Sequence, residues 1–151
     1  MSGWGALLGR FAAGPALVRS AWEESPPAMR ATPGAEGWSA NDAVIHIADA
    51  ELVRAYRIRI MCAGDARIDA FDEDAWRTAL AYRDGDPALA LVLYEAVTAS
   101  TVDLLRRLGE PAGSRSAPHP EFGDITIATL VERGIEHAAA HAAQVRELTG
   151  G

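Results

Sequence analysis

Apolar residues recur at helical spacing in four long blocks of the chain, and the alternating β-branched runs typical of strands are missing. Pro15 interrupts the first block, because a proline ring is not accommodated in a helix interior. Four long helices predict an all-α four-helix bundle, which we expect to be one domain over residues 1–151. The approximate blocks are Ser2 to Glu24, Ser39 to Ala63, Ala88 to Leu108 and Thr126 to Leu148.

Capping signals support these boundaries. Ser39 is a predicted N-cap with Asp42 at the capping-box position, and Gly64 is predicted to end the same helix. The hydroxyl of Thr126 is suited to cap the fourth helix.

A long connection from Asp65 to Pro87 separates the second and third helices, and Asp72 to Leu80 within it reads as a short helix carrying Trp76. A connection of this length allows the third helix to run parallel to the second. Trp76 is expected to anchor the connection on the bundle, although Trp76 and Tyr82 are also able to cover a pocket. The core candidates of the third helix are Leu89, Val92, Leu93, Val97, Val102, Leu104 and Leu105.

Composition narrows the class of protein. Apolar residues make up 49% of the chain, which argues against disorder, and the formal net charge is -7. An acidic surface repels phosphate backbones and anionic lipid, so we expect neither a nucleic-acid nor a membrane partner. The chain shows no secretory pattern and no apolar stretch near the ~20 residues needed to span a bilayer, so we expect a soluble cytoplasmic protein. Cys62 is the single cysteine, which excludes a cysteine-rich metal site.

Three histidines are the candidate chemistry. His137 and His141 are four residues apart on the fourth helix, so both rings leave one face, as in helical metal chelation. His46 lies among apolar residues of the second helix, with Asp49 close to the same face. The alternative is that all three are core histidines, but three buried imidazoles without a metal need other polar partners. His119 is expected to be an exposed, structural loop residue.

Other metal templates fit less well. No glutamate lies three residues before a histidine, so the paired signature of di-iron bundles is missing, and there is no His-Glu-x-x-His motif. Three histidines suit zinc, nickel, iron or copper.

The order of several short motifs resembles the DinB/YfiT-like family of helical-bundle metalloproteins over nearly the whole chain. The motifs are Gly37-Trp38-Ser39, His46-Ile47-Ala48-Asp49-Ala50-Glu51, Asp74-Ala75-Trp76, His119-Pro120-Glu121 with Gly123, and Glu136-His137 with His141 and Gln144. The resemblance implies an up-down-down-up bundle, often a homodimer. It also implies a divalent metal, commonly nickel or zinc, on His46, His137 and His141.

The resemblance leaves three functions open. Better-understood relatives are S-transferases and isomerases that use a low-molecular-weight thiol, so the first expectation is such an enzyme acting on a small-molecule substrate. Asp49 or Glu51 would accept the thiol proton or orient the bound species; alternatively both are ordinary helix carboxylates. Arg54, Arg57 and Arg59 are candidates for holding a substrate carboxylate, or lie on the solvated face. The second function is metal-dependent hydrolysis, and the third is metal or ligand binding without catalysis.

Overall fold

The computed structural model describes residues 3–64 and 67–151, so the predicted start at Ser2 and the residue Asp65 lie outside the described residues. The chain is mostly helical, with one short hairpin. Within the described residues the α-helices are α1 Gly3–Ala12, α2 Gly14–Glu24, α3 Ala40–Ala63, α4 Glu73–Ala79, α5 Pro87–Leu108 and α6 Ile127–Thr149. Short 3-10 turns lie at Pro27–Met29, Tyr82–Asp84 and Glu110–Ser114.

Helices α1 and α2 are two halves of one bundle helix, broken beside Pro15 as predicted. Pro15 lies in the first turn of α2, where a missing backbone N–H costs least. At Gly14 the helix approaches its neighbours closely: a Cβ atom there would lie 2.9 Å from the Tyr94 hydroxyl and 3.1 Å from the Ala138 methyl group. The missing side chain at Gly14 therefore allows the first bundle helix to approach α5 and α6 closely.

Side-chain pairings establish that α3 and α5 run parallel. Gly85, just before α5, adjoins Ile45 near the start of α3, since a Cβ there would meet Ile45 Cδ1 at 2.7 Å. Further along both helices, Arg59 donates to the Ser100 hydroxyl at 2.9 Å. The connection through α4 thus returns the chain to the starting end of α3.

The other two bundle helices run the opposite way. Ser25 at the end of α2 lies 2.9 Å from Thr149 at the end of α6, so these two helices are parallel. His46 faces His137 across the bundle, whereas Arg54 lies beside Gly134, so α6 is antiparallel to α3. The topology is up-down-down-up, as expected.

The predicted caps form. Ser39 and Asp42 make both hydrogen bonds of the capping box, and Gly64 ends α3 with a φ of 90°. Asp72 accepts from the backbone of α4 at 3.0 Å, and Thr126 accepts from the backbone N–H of Thr129 at 3.1 Å. Local side-chain chemistry therefore determines where these helices begin and end.

A two-stranded antiparallel hairpin occupies the segment read as a loop. Strand β1, Ser116–His119, pairs with β2, Gly123–Thr126. Ala117 and Ile125 are buried side chains that join the core cluster of α1, α3, α5 and α6. The hairpin leads directly into α6, so its packing on the core fixes where in the bundle that helix begins.

Helix α5 buries only part of the face predicted for it: Val102 and Leu105 are buried as expected. Leu89 and Val92 are 66% and 56% exposed, and Tyr94 and Thr98 take their places in the core. By length and composition α5 is also the one helix among the described residues able to cross a membrane, contrary to our expectation that no stretch is long enough. Core helices of bundles pass the same test, and α5 packs against α3 and α1.

Candidate metal centre

Three imidazoles meet between α3 and α6. Nε2 of His137 lies 3.3 Å from Nε2 of His46 and 2.8 Å from Nε2 of His141. The three candidate donor atoms all lie within 4.8 Å of one another. The structure thus brings together the three residues that the sequence singled out as metal ligands.

Helix geometry explains the convergence. The four-residue spacing of His137 and His141 brings their rings together on one face of α6, where they meet edge to face with centroids 4.3 Å apart. The neighbouring face of α6 is buried through Ala138 and Ala142, whose small side chains let α6 approach the rest of the bundle. His46 reaches the same point from α3, where it is almost completely buried.

A hydrogen bond sets the tautomer of one ring. His141 Nδ1 lies 2.7 Å from Gln144 Oε1, and an amide oxygen only accepts, so Nδ1 carries the proton and Nε2 presents its lone pair. The Nδ1 atoms of His46 and His137 are buried without a hydrogen-bond partner among the described residues.

Burial keeps these rings neutral. Desolvation, with smaller contributions from His141 and Arg54, lowers the pKa of His46 to about 4. Desolvation likewise lowers the pKa of His137 to about 2, and burial also lowers the pKa of His141. Three neutral imidazoles whose Nε2 atoms meet at one point fit a divalent cation. Each Nε2 supplies a lone pair, and three acceptors that face one another have no donor to share between them.

His46 and His137 form part of the wall of a cleft of about 690 Å3. Arginines and glutamates line it together with apolar side chains, so the cleft suits a small polar molecule with an apolar part. Its lining residues are His46, Ala50, Arg54, Arg57, Ala70, Phe71, Glu73, His119, Glu121, Phe122, Ile125, Leu130, Arg133, Glu136, His137 and Ala140.

Glu73, which the sequence did not single out, also reaches one of the histidines. Its Oε2 atom lies 3.3 Å from His46 Nε2, and its side chain is 59% exposed. It is the first residue of the short helix α4, directly after the N-cap Asp72. No spacing rule links it to His46, so only the path of the connection could reveal it.

Contacts around Trp38 hold α4 over the centre. The Trp38 ring meets His46 edge-on, with centroids 5.5 Å apart, and its Nε1 donates to Asp74 Oδ1 at 3.0 Å. Arg77 lies 4.9 Å above the Trp38 ring and donates to the Gly37 carbonyl at 2.7 Å. The residue before the α3 cap therefore connects α4 to His46.

The two predicted catalytic carboxylates lie away from the cleft lining. Asp49 accepts a hydrogen bond from the Tyr82 hydroxyl at 2.7 Å. Glu51 is fully buried and accepts from Arg54 at 2.5 Å. Burial raises the pKa of Glu51, and Arg54 opposes that shift. Their catalytic roles stay predictions. In the structure each carboxylate instead accepts a hydrogen bond from a neighbouring side chain.

Arg59 also lies outside the cleft lining and donates a hydrogen bond to Ser100. Arg54 and Arg57 line the cleft, which is the position needed to hold a substrate carboxylate. Tyr82 is buried against Asp49 and does not cover the cleft. Trp76 packs on Phe71, with centroids 4.7 Å apart.

The expectation that His119 is exposed was wrong. It is only 8% exposed and lines the cleft, because the hairpin folds it inward. Its Nδ1 accepts a hydrogen bond from the Glu121 backbone N–H at 3.1 Å, and its ring lies 4.7 Å from that of Phe122. It is not among the three clustered histidines.

Fold and site define a four-helix-bundle protein with a candidate three-histidine metal centre. The family model of the DinB superfamily matches residues 10–145, and this chain belongs to that family. The fold is similar to that of YfiT from Bacillus subtilis, described as a probable metal-dependent hydrolase with an unusual four-helix bundle topology. The TM-score is 0.88 and the identity 24%, covering 99% of this chain and 89% of that chain. No curated protein matches.

Proposed function

We propose that this protein is a metal-dependent enzyme, an S-transferase or isomerase that uses a low-molecular-weight thiol. The observation that carries the proposal is the meeting of three neutral imidazole Nε2 atoms at an open cleft, which His46 and His137 line. His46, His137 and His141 would hold a divalent ion with coordination positions left free, and such an ion would lower the pKa of a bound water or thiol. Nickel and zinc are the first candidates, with iron third.

The arginines of the cleft would orient the substrate. Arg54 donates one hydrogen bond to the buried Glu51 carboxylate. Its other N–H groups are available to a substrate in the cleft that Arg54 lines. Arg133 lies 3.8 Å above the Phe122 ring, which restrains its guanidinium group. A guanidinium group matches a carboxylate through two parallel hydrogen bonds. We therefore propose a small substrate with a carboxylate and an apolar portion.

Transfer to a thiol requires room for two reactants. A cleft of about 690 Å3 lies within the range of small-molecule sites and accommodates a thiol beside a small electrophile. Hydrolysis is the second candidate, and the description of YfiT favours it. It would use the same centre with water in place of the thiol.

The first test is metal content. Protein purified without an affinity tag is compared by elemental analysis with His141→Ala and with His119→Ala, a cleft histidine outside the cluster. We expect about one metal per chain in the wild type and in His119→Ala, and a loss in His141→Ala, as for a three-ligand site. A wild type that takes up neither zinc nor nickel would overturn the proposal.

The second test separates the two reactions. Loaded protein is assayed against small electrophiles and activated esters, each with and without added thiol. Turnover that depends on thiol supports the transferase, whereas equal ester turnover without thiol supports the hydrolase. Metal binding without turnover in either panel indicates a binding protein.

A homodimer in the cytoplasm completes the proposal. Large apolar side chains lie exposed on the neighbouring helices α3 and α5, which supports an additional contact surface. These residues are Leu52, Tyr56, Leu89 and Val92. Light scattering of the wild type and of Leu89→Glu tests it: a dimer that becomes a monomer is the expected result, and a monomeric wild type contradicts it.

A further inference from the structure

His119 keeps one unused hydrogen-bond donor at the cleft. The residue is only 8% exposed and lines the cleft from the β1–β2 hairpin. Its Nδ1 accepts a hydrogen bond from the Glu121 backbone N–H at 3.1 Å, so the proton of the neutral ring is on Nε2. Burial, followed by the positive charge of Arg57, lowers the pKa of His119 and keeps the ring neutral. The ring therefore offers a single donor, the Nε2–H group.

No protein acceptor takes this donor. Across residues 3–64 and 67–151, the side chain of His119 makes its one hydrogen bond through Nδ1. Its Nε2 is also not one of the side-chain atoms that are sealed from solvent without a partner. The atom is thus accessible, and the open space that His119 borders is the cleft. A donor on a ring that is held in place and lacks a partner is suited to bind an acceptor on a ligand.

Two arginines near His119 are also free of carboxylate partners. Arg57 and Arg133 line the cleft, and the positive charges of both act on the His119 ring. Arg57 donates to the Asp69 backbone carbonyl, and Arg133 lies over the Phe122 ring. Among the described residues, neither arginine forms an ion pair. Guanidinium groups without a counter-ion beside an accessible donor favour an anionic oxygen ligand.

Phe122 gives this end of the cleft an apolar surface. Its ring centroid lies 4.7 Å from that of His119 and 3.8 Å below the guanidinium carbon of Arg133. The apolar surface thus adjoins both donors. A carboxylate attached to an apolar group matches this arrangement, because its oxygens accept from the two donors while the apolar group packs on the ring.

The cleft has two chemically different ends. The positive charge of Arg54 acts on His46 and His137, which places Arg54 at the end of the metal centre. The charge of Arg133, and not that of Arg54, acts on His119, which lies outside the histidine cluster. A substrate bound through a carboxylate at His119 would therefore direct its opposite end toward the metal centre.

We propose that His119 is a specificity-determining residue whose Nε2–H, together with Arg133, binds the substrate carboxylate at the hairpin end of the cleft. This inference rests on the proposed function and deepens it, since it assigns the carboxylate to one end of the cleft and the reacting group to the other. A single N–H group on a fixed ring is directional, so it selects a ligand whose acceptor lies beside the arginine.

The test measures the binding of benzoate, phenylacetate and cinnamate by isothermal titration calorimetry, on metal-free and on zinc-loaded protein. His119→Phe keeps a ring and removes the donor. We expect it to bind the best of these carboxylates at least about tenfold more weakly, as for the loss of a hydrogen bond to a charged group. His119→Gln retains an amide N–H near the position of Nε2 and should stay within about threefold of the wild type.

A pair of arginine variants separates the site from general electrostatics. Arg133→Met should weaken carboxylate binding by about tenfold or more, as for the loss of a charge-assisted hydrogen bond. Arg83 is exposed and outside the cleft lining, so Arg83→Met removes the same charge at a distance and should stay within about twofold of the wild type.

Nitrogen NMR of the imidazole gives a second readout, which a purely structural role of His119 would not move. The resonance of His119 Nε2 should shift when the carboxylate is added to the wild type, because this nitrogen donates to it. Failure of all three carboxylates to bind the wild type overturns the assignment, and so does equal affinity of His119→Phe and the wild type. Binding that depends on His119 in a protein that takes up no metal supports the assignment and overturns the proposed function. Metal uptake without any dependence of binding on His119 overturns the assignment alone.

Discussion

His141 Nδ1 lies 2.7 Å from Gln144 Oε1, three residues further along α6. This bond places the imidazole proton on Nδ1 and directs the Nε2 lone pair toward His46 and His137. Such partners of ligating histidines orient the ring and raise its basicity.

Replacing Gln144 should weaken metal binding while leaving the three imidazoles in place. In Gln144→Ala the ring loses its orienting acceptor, and we expect a loss of roughly tenfold in metal affinity. Competition with a chelator measures it. Glu147→Ala, an exposed change on the same helix, is the control. Equal affinities in the two variants would show that Gln144 does not orient the ligand.

Metal-free protein should lose stability as the solution is acidified. The pKa of His46 falls from 6.5 to about 4 on folding. Between these pH values the unfolded chain binds a proton at His46 that the folded chain does not bind. Its contribution is complete above pH 6.5 and declines as pH falls toward 4, by about 1.4 kcal/mol per pH unit. Urea unfolding at several pH values measures the slope. His46→Gln should show a slope smaller by about one proton, and an unchanged slope would refute the assignment.

Gly134 provides space for two side chains. A Cβ atom there would lie 2.5 Å from Phe11 Cε2 and 3.3 Å from Arg54 Nε. Gly134→Ala should therefore destabilise the protein by about 1–3 kcal/mol, as overpacked cores do. Gly9 is the matched control, since a Cβ there meets nothing within 4 Å and the residue lies in α1. Gly9→Ala should be neutral or stabilising by about 0.5–1 kcal/mol, and thermal unfolding compares them. Equal midpoints would contradict the packing argument.

The Glu51–Arg54 pair should behave as a buried ion pair. Arg54→Met leaves a fully buried carboxyl group without its partner and should cost about 3 kcal/mol of unfolding free energy. The double variant Glu51→Met with Arg54→Met removes the unpaired group, so it should be more stable than Arg54→Met. Denaturant unfolding of the cycle measures the coupling.

The exposed pair Arg107–Asp103 supplies the control for that cycle. Both side chains are mostly solvent-accessible, so Arg107→Met should change stability by less than about 1 kcal/mol. Simple additivity of Glu51→Met and Arg54→Met would show that the buried residues are not coupled.

Two features escaped prediction for separate physical reasons. The hairpin of β1 and β2 contains Pro118 and Gly123, which are poor strand formers, and it forms because Ala117 and Ile125 pack on the bundle. In α5, apolar residues occur around much of the helix, so periodicity alone does not say which face turns inward. Packing against α3 and α1 buries Tyr94 and exposes Leu89.

The sequence by itself determined the local structure and the pairing of two of the three clustered histidines. Caps such as Ser39 and Thr126 act on backbone groups within three residues, and the spacing of His137 and His141 is a property of one helix. Tertiary structure decided the remainder. His46 joins them only because α3 packs against α6, and Glu73 lies 3.3 Å from His46 only because Trp38 holds α4 there. Both contacts depend on distant parts of the chain. Helix formation is governed by neighbours in sequence, whereas a cleft and its ligands are created by the packing of whole elements.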